Sequence, residues 1–133
     1  MSPFFSFLLL GSEMDPKEAE ALVLPTFVSV DPHRDSLAQI KKYTKEFHPR
    51  LLGMTGTEEE LKIIGKEYGV YARLPSEEER AKDAEYIVDH SIFTFLIGPD
   101  GKLVDYYSHE MTASAMAKSI ARKIRQWKAK TSQ

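Results

Sequence analysis

The fold is decided by the stretch Asp83-Ala-Glu-Tyr-Ile-Val-Asp-His-Ser-Ile-Phe-Thr-Phe-Leu-Ile-Gly-Pro-Asp-Gly-Lys-Leu-Val-Asp-Tyr-Tyr107. Two apolar runs, Ile92–Ile97 and Leu103–Tyr107, flank Gly-Pro-Asp-Gly-Lys. Proline presets φ, aspartate bonds its own backbone and glycine accepts a positive φ, so the pattern predicts a β-hairpin. Just before its first strand, Asp89 and His90 put a carboxylate and an imidazole where a loop enters a sheet, a good position for a functional site.

Capping residues and apolar periodicity predict the elements around this hairpin. Asp15-Pro16 starts a short helix through Leu22, and Pro25 confines the next strand to Thr26–Val30. A short strand is expected at Leu51–Met54, and a solvated loop at the charge run 77–83. Three longer helices are expected. The first is capped at Asp35 or Ser36 and has Leu37, Ile40, Tyr43 and Phe47 on one face. The second begins with the capping box Thr57-x-x-Glu60, has Leu61, Ile64 and Tyr68 inward and ends at Gly69, and the third begins at Thr112 and has Ala113, Met116, Ala117, Ile120 and Ile124 inward.

The N-terminal run Phe4–Leu10 admits two interpretations. It is either a remnant without stable structure or a buried strand that ends at Gly11. The strand hypothesis places it in the central position between Thr26–Val30 and Ile92–Ile97, where an empty slot would leave backbone groups unpaired. The run is far shorter than the roughly 20 residues that span a bilayer, so no membrane span and no targeting segment are predicted.

Composition narrows the classes of function. With 42% hydrophobic and 29% charged residues, the 133-residue chain is expected to be one globular domain. A net charge of −2 and the lack of aromatic residues interleaved with basic ones argue against nucleic acid as a partner. There is no cysteine, which excludes disulfides, thiolate metal sites and thiol redox chemistry.

Several blocks resemble the SCO/SenC family, the thioredoxin-fold copper chaperones that help to assemble cytochrome c oxidase. The similar blocks are Glu85–Ser91, Leu96–Gly101 with Asp105-Tyr-Tyr107, Phe27–Asp35 and Phe47–Thr57, in the family's order and spacing. The resemblance runs from about Leu24 to the C-terminal helix. It implies an α/β, thioredoxin-like fold, with a mixed sheet and helices on both faces, in a single domain over residues 1–133. Residues 1–23 form a divergent N-terminal segment, and residues 24–133 are SCO-like.

The resemblance implies copper as the metal and His90 as the matching copper ligand, with Asp89 able to orient the ring. Family members also supply a Cys-x-x-x-Cys pair, and this chain lacks it. Copper(I) prefers thiolates, so one imidazole is expected to bind it weakly or not at all. The other histidines, His33, His48 and His109, are expected to be structural or simply exposed.

Two functions therefore stand side by side. The first is a mitochondrial copper chaperone for cytochrome c oxidase assembly, with its copper site impaired. The second is a metal-incompetent truncated variant, or a protein-binding module of the same fold. The resemblance implies the copper-site subunit of the oxidase and other copper chaperones as partners, and the mitochondrial inner membrane or intermembrane space as the location. No enzymatic activity is expected.

The C-terminal helix carries six basic residues and no acidic one from Ala113 onward. Cations near a helix C-terminus suit the helix dipole, which is the simpler account. The alternative is that the basic surface of this helix lies on anionic lipid. That interpretation is weaker, because the apolar face of the helix is needed to form the core.

Overall fold

The computed structural model describes residues 12–69, 72–83, 89–90 and 93–132. The predicted strand Phe4–Leu10 lies outside these residues. The helices are α1 (Pro16–Leu22), α2 (Leu37–Phe47), α3 (Glu58–Tyr68), α4 (Glu77–Lys82) and α5 (Ala113–Thr131). The strands are β1 (Thr26–Val28), β2 (Leu52–Met54), β3 (Ala72–Arg73), β4 (Asp89–His90), β5 (Phe93–Ile97) and β6 (Leu103–Ser108).

The described residues divide into two compact units, one with residues 12–25 and 93–132 and the other with residues 26–69, 72–83 and 89–90. The expectation of a single domain remains a prediction. Among the described residues the strands form three two-stranded ladders: β1–β2 is parallel, and β3–β4 and β5–β6 are antiparallel. No helix in these ranges is both long and apolar enough to cross a membrane.

The parallel β1–β2 ladder is covered on one face by α2. Phe27 pairs with Gly53, and a Cβ at position 53 would lie 2.2 Å from Cγ2 of Ile40. Glycine at this position therefore lets the helix approach the strand closely. Ile40 is buried, and the ring of Tyr43 lies 5.2 Å from that of Phe27. Backbone pairing continues past β1, because the amide of Ser29 donates to the carbonyl of Met54 at 3.0 Å.

Two predicted apolar stripes are only partly buried. Of the four apolar residues predicted to share one face of α2, only Ile40 is buried, and Leu37, the first residue of the helix, is 72% exposed. The helix α3 has the predicted capping box at Thr57 and ends at Gly69 in the left-handed conformation, with φ of 69°. No residue of α3 is buried, and Ile64 is exposed, which corrects the predicted inward stripe.

The charge run 77–83, predicted to be a loop, contains the short helix α4. Its N-cap is Ser76, whose hydroxyl accepts from the amide of Glu79 while the carboxylate of Glu79 accepts from the amide of Ser76. This reciprocal pair satisfies two amides that the helix terminus leaves open. Three consecutive glutamates in the first turn also suit the positive end of the helix dipole.

The other unit contains the predicted hairpin of β5 and β6. Gly101 in its turn has φ of 79°, and the carboxylate of Asp100 accepts from the amide of Lys102 at 3.0 Å, as the turn sequence predicts. A register shift lies between Leu96 and Ile97. The hairpin prediction is confirmed for Phe93–Ile97 and Leu103–Tyr107, and the second strand extends by one residue to Ser108.

The helix α5 packs on this hairpin and on α1. A cluster of buried residues forms the core of the unit: Ala19, Tyr107, Met116, Ile120 and Ala121. The predicted inward positions of α5 are confirmed: Ala113, Met116, Ala117 and Ile120 are buried, and Ile124 packs partly against the cluster. Ala19 belongs to α1, which begins at the predicted cap: the carboxylate of Asp15 accepts hydrogen bonds from the amides of Lys17 and Glu18.

Candidate metal centre

His90, the predicted copper ligand, lies in β4. The backbone of His90 pairs with Ala72, and that of Asp89 pairs with Arg73. Asp89 and His90 thus occupy successive positions of one antiparallel ladder, within the unit that also contains β1 and β2. Residues 84–88 and 91–92, which flank this strand, lie outside the described residues. The role of His90 as a ligand remains a prediction.

The described part of the chain between β3 and β4, residues 74–83, contains α4. The guanidinium of Arg80 donates to the carbonyl of Pro75 at 2.7 Å, and the amide of Arg80 donates to the carbonyl of Ser76 at 3.0 Å. Both contacts are made within the segment and fix the first turn of α4 against the chain that enters it. No residue of α4 is buried, so local capping rather than core packing holds this helix in place.

A hydrogen-bonded loop follows β1. The carboxylate of Asp31 accepts from the guanidinium of Arg34 at 2.7 Å and from the amide of His33 at 3.2 Å. The hydroxyl of Ser29 donates to the carboxylate of Asp35 at 2.5 Å and accepts from the amide of Asp31 at 3.0 Å. Ser29 and Asp31 are buried. Because the Asp31 carboxylate already has a cationic partner and an amide donor, it serves to shape the loop.

His33, on this loop, contacts the first residue of α3. Its Nε2 lies 3.1 Å from Oε2 of Glu58, and Lys62 lies 3.3 Å from Oε1 of the same carboxylate. The hydrogen bond from His33, followed by that from Lys62, holds the pKa of Glu58 below its usual range. His33 therefore has a structural partner, in agreement with its predicted structural role.

Three other side chains that could ligate a metal ion, those of His48, Met14 and Met54, each have a local role or are exposed. Nδ1 of His48 accepts from the amide of Arg50 at 3.0 Å, which closes the chain after α2. Met14 packs against the apolar cluster under α5, whereas Met54 is exposed on β2. Within residues 12–69, 72–83, 89–90 and 93–132, no three side chains of histidine, aspartate or glutamate are grouped so as to hold a metal ion.

Sequence reasoning missed two features around this region. The helix α4 has a sequence signal, the spacing Ser76-x-x-Glu79, which is the same capping pattern that correctly predicted α3. The loop around Asp31 has a weaker signal. Aspartate before proline indicates a turn, but its pairing with Arg34 and the burial of Ser29 depend on the packing of the finished fold.

Comparison with known proteins identifies a family whose sequences are similar to this chain. The sequence model of the family described as SCO1/SenC matches residues 11–125. The mitochondrial SCO2 homolog of Danio rerio is 45% identical over 98 residues, which cover 74% of this chain and 34% of that protein. The mitochondrial SCO1 homolog of Homo sapiens is 42% identical over 107 residues, which cover 80% of this chain and 35% of that protein. This chain thus spans about a third of the length of these relatives.

Solved structures of proteins from the same family have a similar fold. Arabidopsis thaliana ScoI with copper bound has a TM-score of 0.77 and 33% identity, with 92% of this chain and 71% of that chain covered. Yeast Sco1 with copper bound has a TM-score of 0.74 and 34% identity, with 91% and 63% covered. This likeness confirms the predicted α/β, thioredoxin-like fold. By sequence and by fold, this chain belongs to the SCO1/SenC family.

Proposed function

We propose that this chain is a SCO-type copper-handling domain that takes part in copper delivery to, and assembly of, cytochrome c oxidase in mitochondria. The observation that carries the proposal is the family match over residues 11–125. Relatives named as mitochondrial, and related structures solved with copper bound, support it. Copper is the cargo, so the domain is proposed to bind and pass on the ion rather than to catalyse a reaction. Its proposed location is the inner membrane or intermembrane space.

The copper site is proposed to be impaired. Cu(I) is a soft ion that prefers thiolate, with imidazole as a further ligand, and the chain has no cysteine. His90 is the ligand that remains by resemblance, and its backbone is held in the β3–β4 ladder. A single imidazole leaves the ion's preference for soft ligands unmet. We therefore expect Cu(I) affinity orders of magnitude below that of cysteine-bearing relatives.

The missing thiolates also favour a second candidate, a metal-incompetent variant or protein-binding module of the same fold. Such a module would keep the surfaces that contact partners and lose the metal. The proposed partners are the same in both cases: the copper-site subunit of cytochrome c oxidase and other copper chaperones. The two candidates differ in whether His90 contributes measurably to copper binding.

Anaerobic titration with Cu(I) against a competing chelator separates them. We expect weak binding by the unmodified chain, further weakened by His90→Ala and unchanged by His109→Ala, which removes an exposed imidazole from the turn after β6. Equal affinity of the unmodified chain and His90→Ala would favour the metal-incompetent module. One tightly held equivalent of Cu(I), retained against a strong chelator, would show that the site is not impaired.

A further inference from the structure

The strand β6 pairs with β5 along one edge, and no other strand pairs with it among the residues that the structure describes. Three of its side chains, those of Leu103, Val104 and Tyr106, are 46%, 51% and 59% exposed. An edge strand with exposed apolar side chains readily pairs with a strand of another chain, and proteins block such edges with charges or bulges. The outer edge of β6 is therefore open to strand addition unless something blocks it.

The hydrogen bonds of the hairpin determine which backbone groups of β6 point to this outer edge. The amide of Gly98 donates to the carbonyl of Lys102 at 2.9 Å, so these two residues form a hydrogen-bonded pair. Bonded and non-bonded pairs alternate along an antiparallel ladder, and the register shift adds one residue to β6 without changing that alternation. Phe95 and Tyr106 form the third pair after Gly98 and Lys102, which makes them a non-bonded pair. The amide and carbonyl of Tyr106 therefore point away from β5.

The carboxylate of Asp105 caps this outward amide. Its Oδ1 accepts from the amide of Tyr106 at 2.7 Å, and an amide bonded in this way cannot also donate to an incoming strand. The Oδ2 of the same carboxylate binds Lys123 on α5, which fixes the position of the side chain. At the end of the strand, the carbonyl of Ser108 accepts from the amide of Met111 at 3.2 Å. One side chain thus ties α5 to the hairpin and blocks the middle of its outer edge.

We propose that Asp105 keeps the outer edge of β6 closed to strand addition, and that without its carboxylate this edge pairs with β6 of a second copy of the chain. Antiparallel pairing of a strand with its own copy has two-fold symmetry. Tyr106 then lies opposite its counterpart, and the amide of each donates to the carbonyl of the other. The exposed apolar side chains of the two strands form cross-strand pairs on either side of this point.

Sedimentation velocity over a series of protein concentrations tests the proposal. Asp105→Ala is expected to raise the self-association constant at least about 10-fold over that of the unmodified chain, because the symmetric contact satisfies the Tyr106 amide twice. Asp105→Asn keeps an oxygen that accepts from this amide, so it should associate no more than the unmodified chain. Hydrogen exchange of the Tyr106 amide, followed by NMR, should become slower as the concentration of Asp105→Ala rises.

The matched control is Lys123→Met, which breaks the same ion pair and leaves the carboxylate on the Tyr106 amide. It should associate no more than the unmodified chain. Because the Asp105 side chain is about one-third exposed, its removal should leave the fold intact, which circular dichroism checks.

A second substitution tests where the two copies meet. Adding Tyr106→Lys to Asp105→Ala puts like charges opposite each other and should reverse the association. The proposal is overturned if Asp105→Ala associates no more than the unmodified chain, or if Lys123→Met or Asp105→Asn associates as strongly as Asp105→Ala. It is equally overturned if Tyr106→Lys does not reverse the association or if the Tyr106 amide gains no protection, because the contact then lies elsewhere.

Discussion

The hydroxyl groups of Tyr107 and Ser119 lie 3.0 Å apart and join β6 to α5 across the core of their unit. Tyr107 is buried, and Ser119 also accepts from Lys123 at 3.0 Å. Lys123 in turn binds Asp105, two residues before Tyr107 on the same strand. Four side chains thus form one polar network next to the apolar cluster. Because hydrogen bonds depend on direction and apolar contacts do not, this network fixes how the C-terminal helix lies on the hairpin.

Removal of the Tyr107 hydroxyl should destabilise this junction. Tyr107→Phe loses the hydrogen bond to Ser119 and keeps the packing of the ring, so we expect a loss of about 1 kcal/mol in the free energy of unfolding. Urea denaturation measures it. Ser119→Ala should cost a similar amount, and the double variant should cost less than the sum of the two. Full additivity would contradict a shared hydrogen bond. Ser114→Ala, on an exposed position of α5, is the control.

The pair of Asp105 and Lys123 should make stability depend on pH. The hydrogen bond from Lys123, followed by that from the amide of Tyr106, lowers the pKa of Asp105. A lowered folded-state pKa gives stabilisation that is present above the unfolded value, near 4, and is lost as the pH falls through the folded value. We therefore expect Lys123→Met to lose stability at pH 7 and to lose less at pH 3.

Because Asp105 is about one-third exposed, the effect of this pair at pH 7 should be small, about 0.5–1 kcal/mol. Urea denaturation of both forms at a series of pH values checks the sign. The matched variant Lys102→Met removes a cation from the exposed hairpin turn and should show no such pH dependence. A difference between Lys123→Met and the unmodified chain that grows toward low pH would contradict the pairing.

Local sequence signals predicted most of this fold correctly. The caps at Asp15, Thr57 and Thr112 and the turn at Gly101 are where the sequence places them, because each depends on a few neighbouring residues. Leu37 and Ile64, which are exposed, show that local patterns do not determine which apolar residues of a helix are buried. Their spacing fits an inward face, but whether a face is buried depends on which element covers it, and that is decided by distant parts of the chain.

The candidate site was less predictable. The helix α4 was missed because the charge run was given more weight than the cap at Ser76, although charged residues on a short exposed helix are compatible with helix formation. The sequence predicts His90 where a loop enters a sheet, whereas the structure places its backbone in the two-residue strand β4, paired with Ala72. Its role as a ligand depends on side chains brought together from separate elements, which spacing along the sequence does not determine.

The close approach of α2 to β2 gives a packing prediction. Gly53→Ala would place a Cβ 2.2 Å from Cγ2 of Ile40 and 3.0 Å from Cγ2 of Thr44, so the helix must shift or the side chains must leave their rotamers. We expect a loss of about 1–3 kcal/mol in unfolding free energy. Ile40→Leu removes the β-branch that causes the nearer contact, so Gly53→Ala should cost less in that background. An equal cost in both backgrounds would contradict the proposed contact.

The last prediction concerns the segment that leads to His90. Since α4 has six residues and buries none of them, its cap at Ser76 should decide whether it forms. Ser76→Ala removes the acceptor for the amide of Glu79, and the loss of an N-cap costs about 1 kcal/mol, so exchange of the Arg80 and Asp83 amides should become roughly 5-fold faster. Hydrogen exchange followed by NMR measures both amides. Ser36→Ala removes the corresponding cap of α2 and should leave them unchanged. Unchanged exchange in Ser76→Ala would mean that contacts other than the cap hold α4.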